Sequence, residues 1–362
     1  MWKYRRKLSW LSCATEKTEI ATPDNPTSIE GQPHGSDWRR ILPGLAISAI
    51  SLGIVLYFAD LRKLGEALRL ADYRFVLLGI PVTLIWLGVR GLVWRTLLQD
   101  KAAYSAVFWT LNEGYLLNNL LPFRLGEVGR GFLLSRKSRL EFWQVISTIV
   151  IERILDLAMA VGLLFSTLPF VVGATWAREA ALVVGGAVVL GLVVLYLLAR
   201  NRERAVSLFE RLGKRWPWIV RLGGKAITSF LSGMSVLTDG LRFLRAVGWM
   251  VVNWLVAIVQ YYVLVHAFFP DTRLLWASFS LGVAALGIAA PSSPGALGLL
   301  ELSIVGALSL FGLDPSTALA LAITVHVVQY LVTGSLGAYG LARDGESLIG
   351  LYRRVRRLKV EG

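Results

Sequence analysis

One cysteine, Cys13, and three histidines in 362 residues exclude several chemistries at once. An internal disulfide and a cysteine-rich zinc site are impossible. His34, His266 and His326 lie on separate segments and have no metal-ligand spacing. The chain lacks a nucleotide-binding motif, which argues against direct use of ATP. Charge is scarce too: Asp, Glu, Lys and Arg make up 17% of the residues. The basic start Met1–Cys13 leads into an apolar run, Leu8–Ala14, too short for a cleaved signal peptide or a lipoprotein signal. No metal, no cofactor and no catalytic group is expected.

What the chain has is apolar sequence. Hydrophobic residues make up 55% of it and the mean hydropathy is +0.58, which places it among integral membrane proteins. Thirteen Trp fit two interfacial belts, because the amphipathic indole favours headgroup level. The net charge of +14 is spread over the flanks of apolar spans, so an anionic lipid surface explains it and no nucleic-acid partner is expected.

The expected fold is an all-α polytopic membrane protein with about six full spans and two re-entrant helical hairpins. The spans are Ile41–Ala59, Phe75–Leu98, Phe142–Val172, Ala180–Ala199, Val247–Phe269 and Pro315–Ala342. One hairpin, Tyr104–Leu121 with Gly126–Leu134, is broken around Pro122. The other, Leu274–Ala290 with Gly295–Phe311, is broken around Pro294. Residues 1–40 read as a disordered cytoplasmic tail and 41–342 as the transmembrane domain. Its halves are 41–172 and 180–342, with a cytoplasmic amphipathic loop at 200–245 whose apolar side meets either the lipid surface or the bundle, and 343–362 form a basic cytoplasmic tail.

Lys and Arg orient this plan. There are seven before Ile41, ten in 200–245 and six from Arg343 onward, against one each in 169–180 and 268–274. The positive-inside rule puts both termini in the cytoplasm. The loop 60–74, with four basic residues, is the misfit. The halves then form an inverted repeat. A plan of ten full crossings leaves the termini on the same side, but short arms with polar breaks favour re-entry.

The breaks match. Asn118-Asn119-Leu120-Leu121-Pro122-Phe123-Arg124-Leu125-Gly126-Glu127, ending in Arg130, is answered by Pro291-Ser292-Ser293-Pro294-Gly295-Ala296-Leu297-Gly298-Leu299-Leu300-Glu301. Each sets Pro four residues before Gly, with a carboxylate close behind. Interrupted helices at corresponding places in two halves point to a transporter-type binding site. Arg124 and Arg130 suit phosphate, because a guanidinium offers a permanently charged fork. Ser293 and the Gly295/Gly298 backbone suit a half-helix N-terminus aimed at an anion. Asn118 and Asn119 can either bond backbone groups freed by the break or hold a headgroup. His326, Gln329 and Tyr330 read as helix–helix contacts. Glu152, Arg153 and Asp156 lie inside a span, where an unpaired charge is costly. They can bind a headgroup, pass a proton, or pair with Arg90, Arg124 or Arg130.

At these residues the chain resembles the flippase-like domain family, also called the lysylphosphatidylglycerol synthase transmembrane region. The resemblance covers roughly Ile41–Ala342. It implies a protein of the bacterial or archaeal cytoplasmic membrane that moves a phospholipid or lipid-linked headgroup between leaflets. The residues it implies are Asn119, Pro122, Arg124, Gly126, Glu127, Arg130, Glu152, Arg153, Asp156, Pro294, Gly295, Gly298 and Glu301. Members that make lysylphosphatidylglycerol carry a large soluble aminoacyltransferase domain after this region. Here about twenty residues follow the last span, so no synthase activity is expected. A non-transporting subunit anchoring a lipid-modifying enzyme is the alternative, an intramembrane transferase using Glu127, Glu152 or Asp156 a third. A homo-oligomer stays open.

Overall fold

The computed structural model describes residues 37–121, 124–172, 176–201, 203–204, 206–207, 226–289 and 293–345. The chain divides into two units, Met1–Asp37 and Trp38–Gly362, and the architecture is that of the second. Pro122, Ser292, the expected tail before residue 37, residues 208–225 and residues 346–362 lie outside the described residues.

Among the described residues the chain is helical, with no strand. In hydrocarbon every backbone N–H and C=O must bond within the protein, and a helix does so within one segment. The elements are α1 (Asp37–Phe58), α2 (Leu61–Leu70), α3 (Tyr73–Leu97), α4 (Tyr104–Leu120), α5 (Leu125–Lys137) and α6 (Phe142–Thr167). They continue as α7 (Pro169–Val172), α8 (Trp176–Arg200), α9 (Gly240–His266), α10 (Leu274–Ala289), α11 (Leu299–Ser309) and α12 (Pro315–Arg343). Four are long and apolar enough to cross a membrane: α3, α6 with α7, α9 and α12. The other two expected spans are helices as well, α1 with 22 residues and α8 with 25. The arms α4, α5, α10 and α11 have 17, 13, 16 and 11 residues. A full crossing needs about 20.

The packing comes in matched sets. α3 lies on α9, with Gly79 against Leu264 and the Gln260 amide donating to Thr83 Oγ1 at 2.8 Å. Around that pair, the contacts α3–α4, α4–α5 and α5–α6 have counterparts in α9–α10, α10–α11 and α11–α12. The hairpins cross over: α4 packs on α12, and α10 packs on α6. Lipid tails are as apolar as the helices, so association rests on close packing of small residues and on polar contacts. The α4–α12 contact has both. Gly337 lies against the backbone of Asn112, and Gly340 against the Glu113 carboxylate. Glu113 accepts from Lys137 Nζ at 2.7 Å, and Lys137 also pairs with Asp344 at the end of α12.

One segment differs from the sequence reading, and another takes one of its two alternatives. Residues 60–74, expected as a loop, contain α2, which Asp60 starts by accepting from the Arg62 amide at 2.8 Å. α2 packs on α12, and Asp60 N donates to Ser316 Oγ at 3.0 Å. The later part of the loop expected at a membrane surface, Ala226–Thr238, is an apolar helical segment set into the core. Leu231, Met234, Val236 and Leu237 are buried there, and Gly233 sits directly against Ser147 and Gln144 of α6. Its apolar residues pack against protein, and a surface helix would have offered them to lipid.

Candidate functional site

Both breaks open onto one cavity of about 500 Å³. Asn118, Asn119, Arg124 and Glu127 line it from the first break, and Ser293, Gly295 and Ala296 from the second. α4 also packs on the short turn Pro294–Ala296, so the two breaks meet. α3, α6, α9 and α12 supply further walls, with Arg90, Arg153, Asp156, Gln260, His326 and Tyr330 among them, and α10 lines it with apolar residues from Leu281 to Ala289.

The first break is a close crossing. A Cβ on Gly126 would collide with the Gly114 carbonyl and with Asn118, so only glycine lets α5 approach α4 this way. Arg124, just before α5, is left-handed (φ 54°) and half-buried. Its guanidinium reaches Glu127 at 3.8 Å. Asn119 donates to Thr333 Oγ1 of α12 at 3.1 Å, whereas the buried Asn118 Oδ1 has no hydrogen-bond partner.

Along one wall of the cavity runs a ladder of alternating charge, with Glu152 behind it. Glu152, fully buried, accepts from Arg90 at 2.6 Å, Arg130 at 3.1 Å and Arg153 at 3.0 Å. Asp156 accepts from Arg90 Nη1 at 2.7 Å, pairs with Arg153 at 3.3 Å and meets the Trp254 indole N–H at 3.4 Å. Arg153 also reaches Glu127 at 3.5 Å, and Arg130 lies over the Trp94 ring at 4.7 Å. Four arginines therefore face three carboxylates, leaving one positive charge. Arg124 is the arginine of the four with the weakest pairing.

The second break departs from expectation. Gly298 N, at the start of α11, is not free for an external anion: Glu301 Oε2 accepts from it at 2.7 Å. Glu301 Oε1 lies 2.6 Å from His326 Nδ1, and His326 Nε2 lies 3.0 Å from the Gly295 carbonyl. Gly295 and Gly298 have φ of 64° and 85°, conformations that suit glycine. Ser293 Oγ bonds within the turn, to the Pro294 and Leu297 carbonyls at 3.4 Å. Pro294 begins that turn.

Of the residues singled out by sequence, Arg130, Glu152, Arg153 and Asp156 form one network, reached by Glu127 and through it by Arg124. Asn119 lines the cavity but is turned to α12. Glu301 belongs to a separate cluster. Sequence reasoning undervalued Arg90, which joins Glu152 to Asp156, and took His326 for a packing residue. The signal for Arg90 was present: a charge within a span needs a partner.

The comparisons with known proteins fit this architecture. The family model described as the lysylphosphatidylglycerol synthase TM region matches residues 41–337. The chain belongs to this family. A UPF0104 membrane protein of Methanothermobacter thermautotrophicus is 22% identical over 308 residues, covering 81% of this chain and 90% of the relative. Another, of Methanocaldococcus jannaschii, is 24% identical over 227 residues, covering 61% and 91%. The glycosyltransferase AglD of Haloferax volcanii is 24% identical over 339 residues, covering 82% of this chain and 54% of AglD. No solved structure matches. Family and helices together make this a multi-pass membrane protein.

Proposed function

We propose that the chain moves a phosphate-bearing lipid, or a lipid-linked headgroup, between the leaflets of the cytoplasmic membrane. The observation that carries this reading is the single cavity onto which both helix breaks open, with one uncompensated arginine charge at its edge. A headgroup leaving bulk water needs replacement hydrogen bonds. Arg124 can fork to a phosphate, and Asn118 and Tyr330 carry buried polar atoms without partners. The site residues in this reading are Arg124, Asn118, Asn119 and Glu127 at the first break and Ser293 at the second, with the ladder of Arg130, Glu152, Arg153 and Asp156 behind them. The reading treats the chain as a transporter and not an enzyme.

Arg124→Ala tests this in proteoliposomes. Leaflet exchange of a labelled anionic phospholipid is expected to fall about tenfold or more, the worth of a lost charge-assisted hydrogen bond of about 1.5–3 kcal/mol. Arg124→Lys, which keeps the charge without the fork, is expected to fall between the two. Unmutated protein that exchanges no lipid above protein-free vesicles would move the assignment to an anchoring subunit.

The same reading makes the halves an inverted repeat with re-entrant hairpins, supported by the paired helix contacts and the short arms. Both termini then face the cytoplasm. In a variant lacking Cys13, single cysteines at Leu275 and Leu313 are expected to label from the same side of the membrane. A single cysteine at Leu297, between the arms, that labels from the side opposite to both would make both arms full spans.

A further inference from the structure

From the Glu301–His326 pair we infer a proton-binding site whose proton travels together with the anionic headgroup; this rests on the transport reading above. The hydrogen-bond arithmetic is closed. The Gly295 carbonyl can only accept, so His326 Nε2 keeps its hydrogen whenever the 3.0 Å contact is made. The 2.6 Å contact between Nδ1 and Glu301 Oε1 then holds one proton, on the imidazolium or on the carboxylic acid. Remove it and two acceptors face each other, so the contact opens. Glu301 also holds the Gly298 amide, and His326 holds the Gly295 carbonyl. The proton therefore pins the whole second break to α12.

The site is screened from lipid but reachable. Both side chains are 7% exposed, and His326 lines the cavity. The ring of Tyr330 stands against His326 at 4.5 Å, edge to face. α10 carries no titratable group, and α11 carries none besides Glu301. Across the cavity α9 presents Tyr261, α6 presents Arg153 and Asp156, α3 presents Arg90, α4 presents Tyr115, and the first break with α5 presents Arg124, Glu127 and Arg130.

Charge balance sets the direction. With its proton the pair is neutral, and the cavity keeps the positive charge that a phosphodiester would cancel. Without the proton the pair is an anion and cancels that charge itself, leaving the headgroup uncompensated in a region of low dielectric. Proton and lipid anion therefore bind together and move the same way, each proton entering from one side and leaving to the other.

The test uses the full-length protein in phosphatidylcholine vesicles with trace labelled phosphatidylglycerol, a pH gradient of one unit and a trapped pH dye. One proton per lipid across one pH unit is worth about a tenfold bias, so the label is expected to gather on the alkaline side by up to about tenfold. A protonophore should abolish the bias. In Glu301→Gln and His326→Asn the ratio should fall to about one, whatever each variant's absolute rate. Wild-type exchange without bias overturns the proton site and leaves the transport reading standing; no exchange at all takes down both. Nitrogen NMR on ¹⁵N-histidine protein, with His326 assigned by its loss in His326→Asn, reads the pair without transport. Nε2 should carry its hydrogen whether or not the shared proton is bound, and a bare Nε2 beside a protonated Nδ1 overturns the site.

Discussion

Replacing Glu152 with alanine is expected to destabilise the protein by about 3–5 kcal/mol, the cost of breaking a buried ion pair from one side. Three guanidiniums converge on this carboxylate, and two of them, those of Arg90 and Arg130, are 3% exposed. Asp156 can keep Arg90 and Arg153, but Arg130 is left with the Trp94 face and no carboxylate. Unfolding in mixed micelles, followed by tryptophan fluorescence, measures the loss. Asp156→Asn should cost less, because Asp156 is 19% exposed and lies beside the cavity. A Glu152→Ala protein as stable as the parent would mean that cavity water solvates the freed arginines.

Gly126→Ala should be nearly as damaging, at about 3 kcal/mol, the upper end for overpacking a tight contact. The added methyl would meet the Gly114 carbonyl and the Asn118 backbone amide, and backbone cannot rotate away as a side chain can. The hairpin arms must separate, and the cavity wall they form goes with them. Gly162→Ala is the matched control. Nothing lies within 4 Å of its Cβ, so the change should be neutral or slightly stabilising through helix propensity. Heating followed by size-exclusion chromatography compares the two. Equal melting of both variants would show that the α4–α5 crossing is loose in the membrane.

The first break was legible in the sequence because charge inside an apolar span must find a partner. Glu152 and Asp156 share a helix face, and Arg130 was a natural candidate for them. The choice of Arg90 as hub was not legible, since it depends on how α3 is rotated against α6. At the second break the glycines announced an unusual backbone. What Glu301 does there depends on a turn geometry that spacing alone leaves open, and with it the contact to His326, 25 residues on. α2 was within reach of pattern reading. Asp60 precedes leucines at 61, 64 and 68, which is helical spacing after an N-cap residue. The burial of Ala226–Thr238 stayed open between two readings, because an apolar-punctuated stretch reads the same whether its apolar side meets lipid or protein.

α12 touches both hairpins, and that has a mechanical consequence. Toward its C-terminal end it is clamped to the first hairpin by Asn119–Thr333 and by Lys137 between Glu113 and Asp344. His326, eighteen residues before Asp344, grips the second hairpin. At 1.5 Å per residue, Thr333 lies about 10 Å and Asp344 about 27 Å from His326, along a helix without an internal proline. Such a rod behaves as a lever: tilting it to release one hairpin drives the other. A crosslink fixing α12 to either hairpin would thus arrest both.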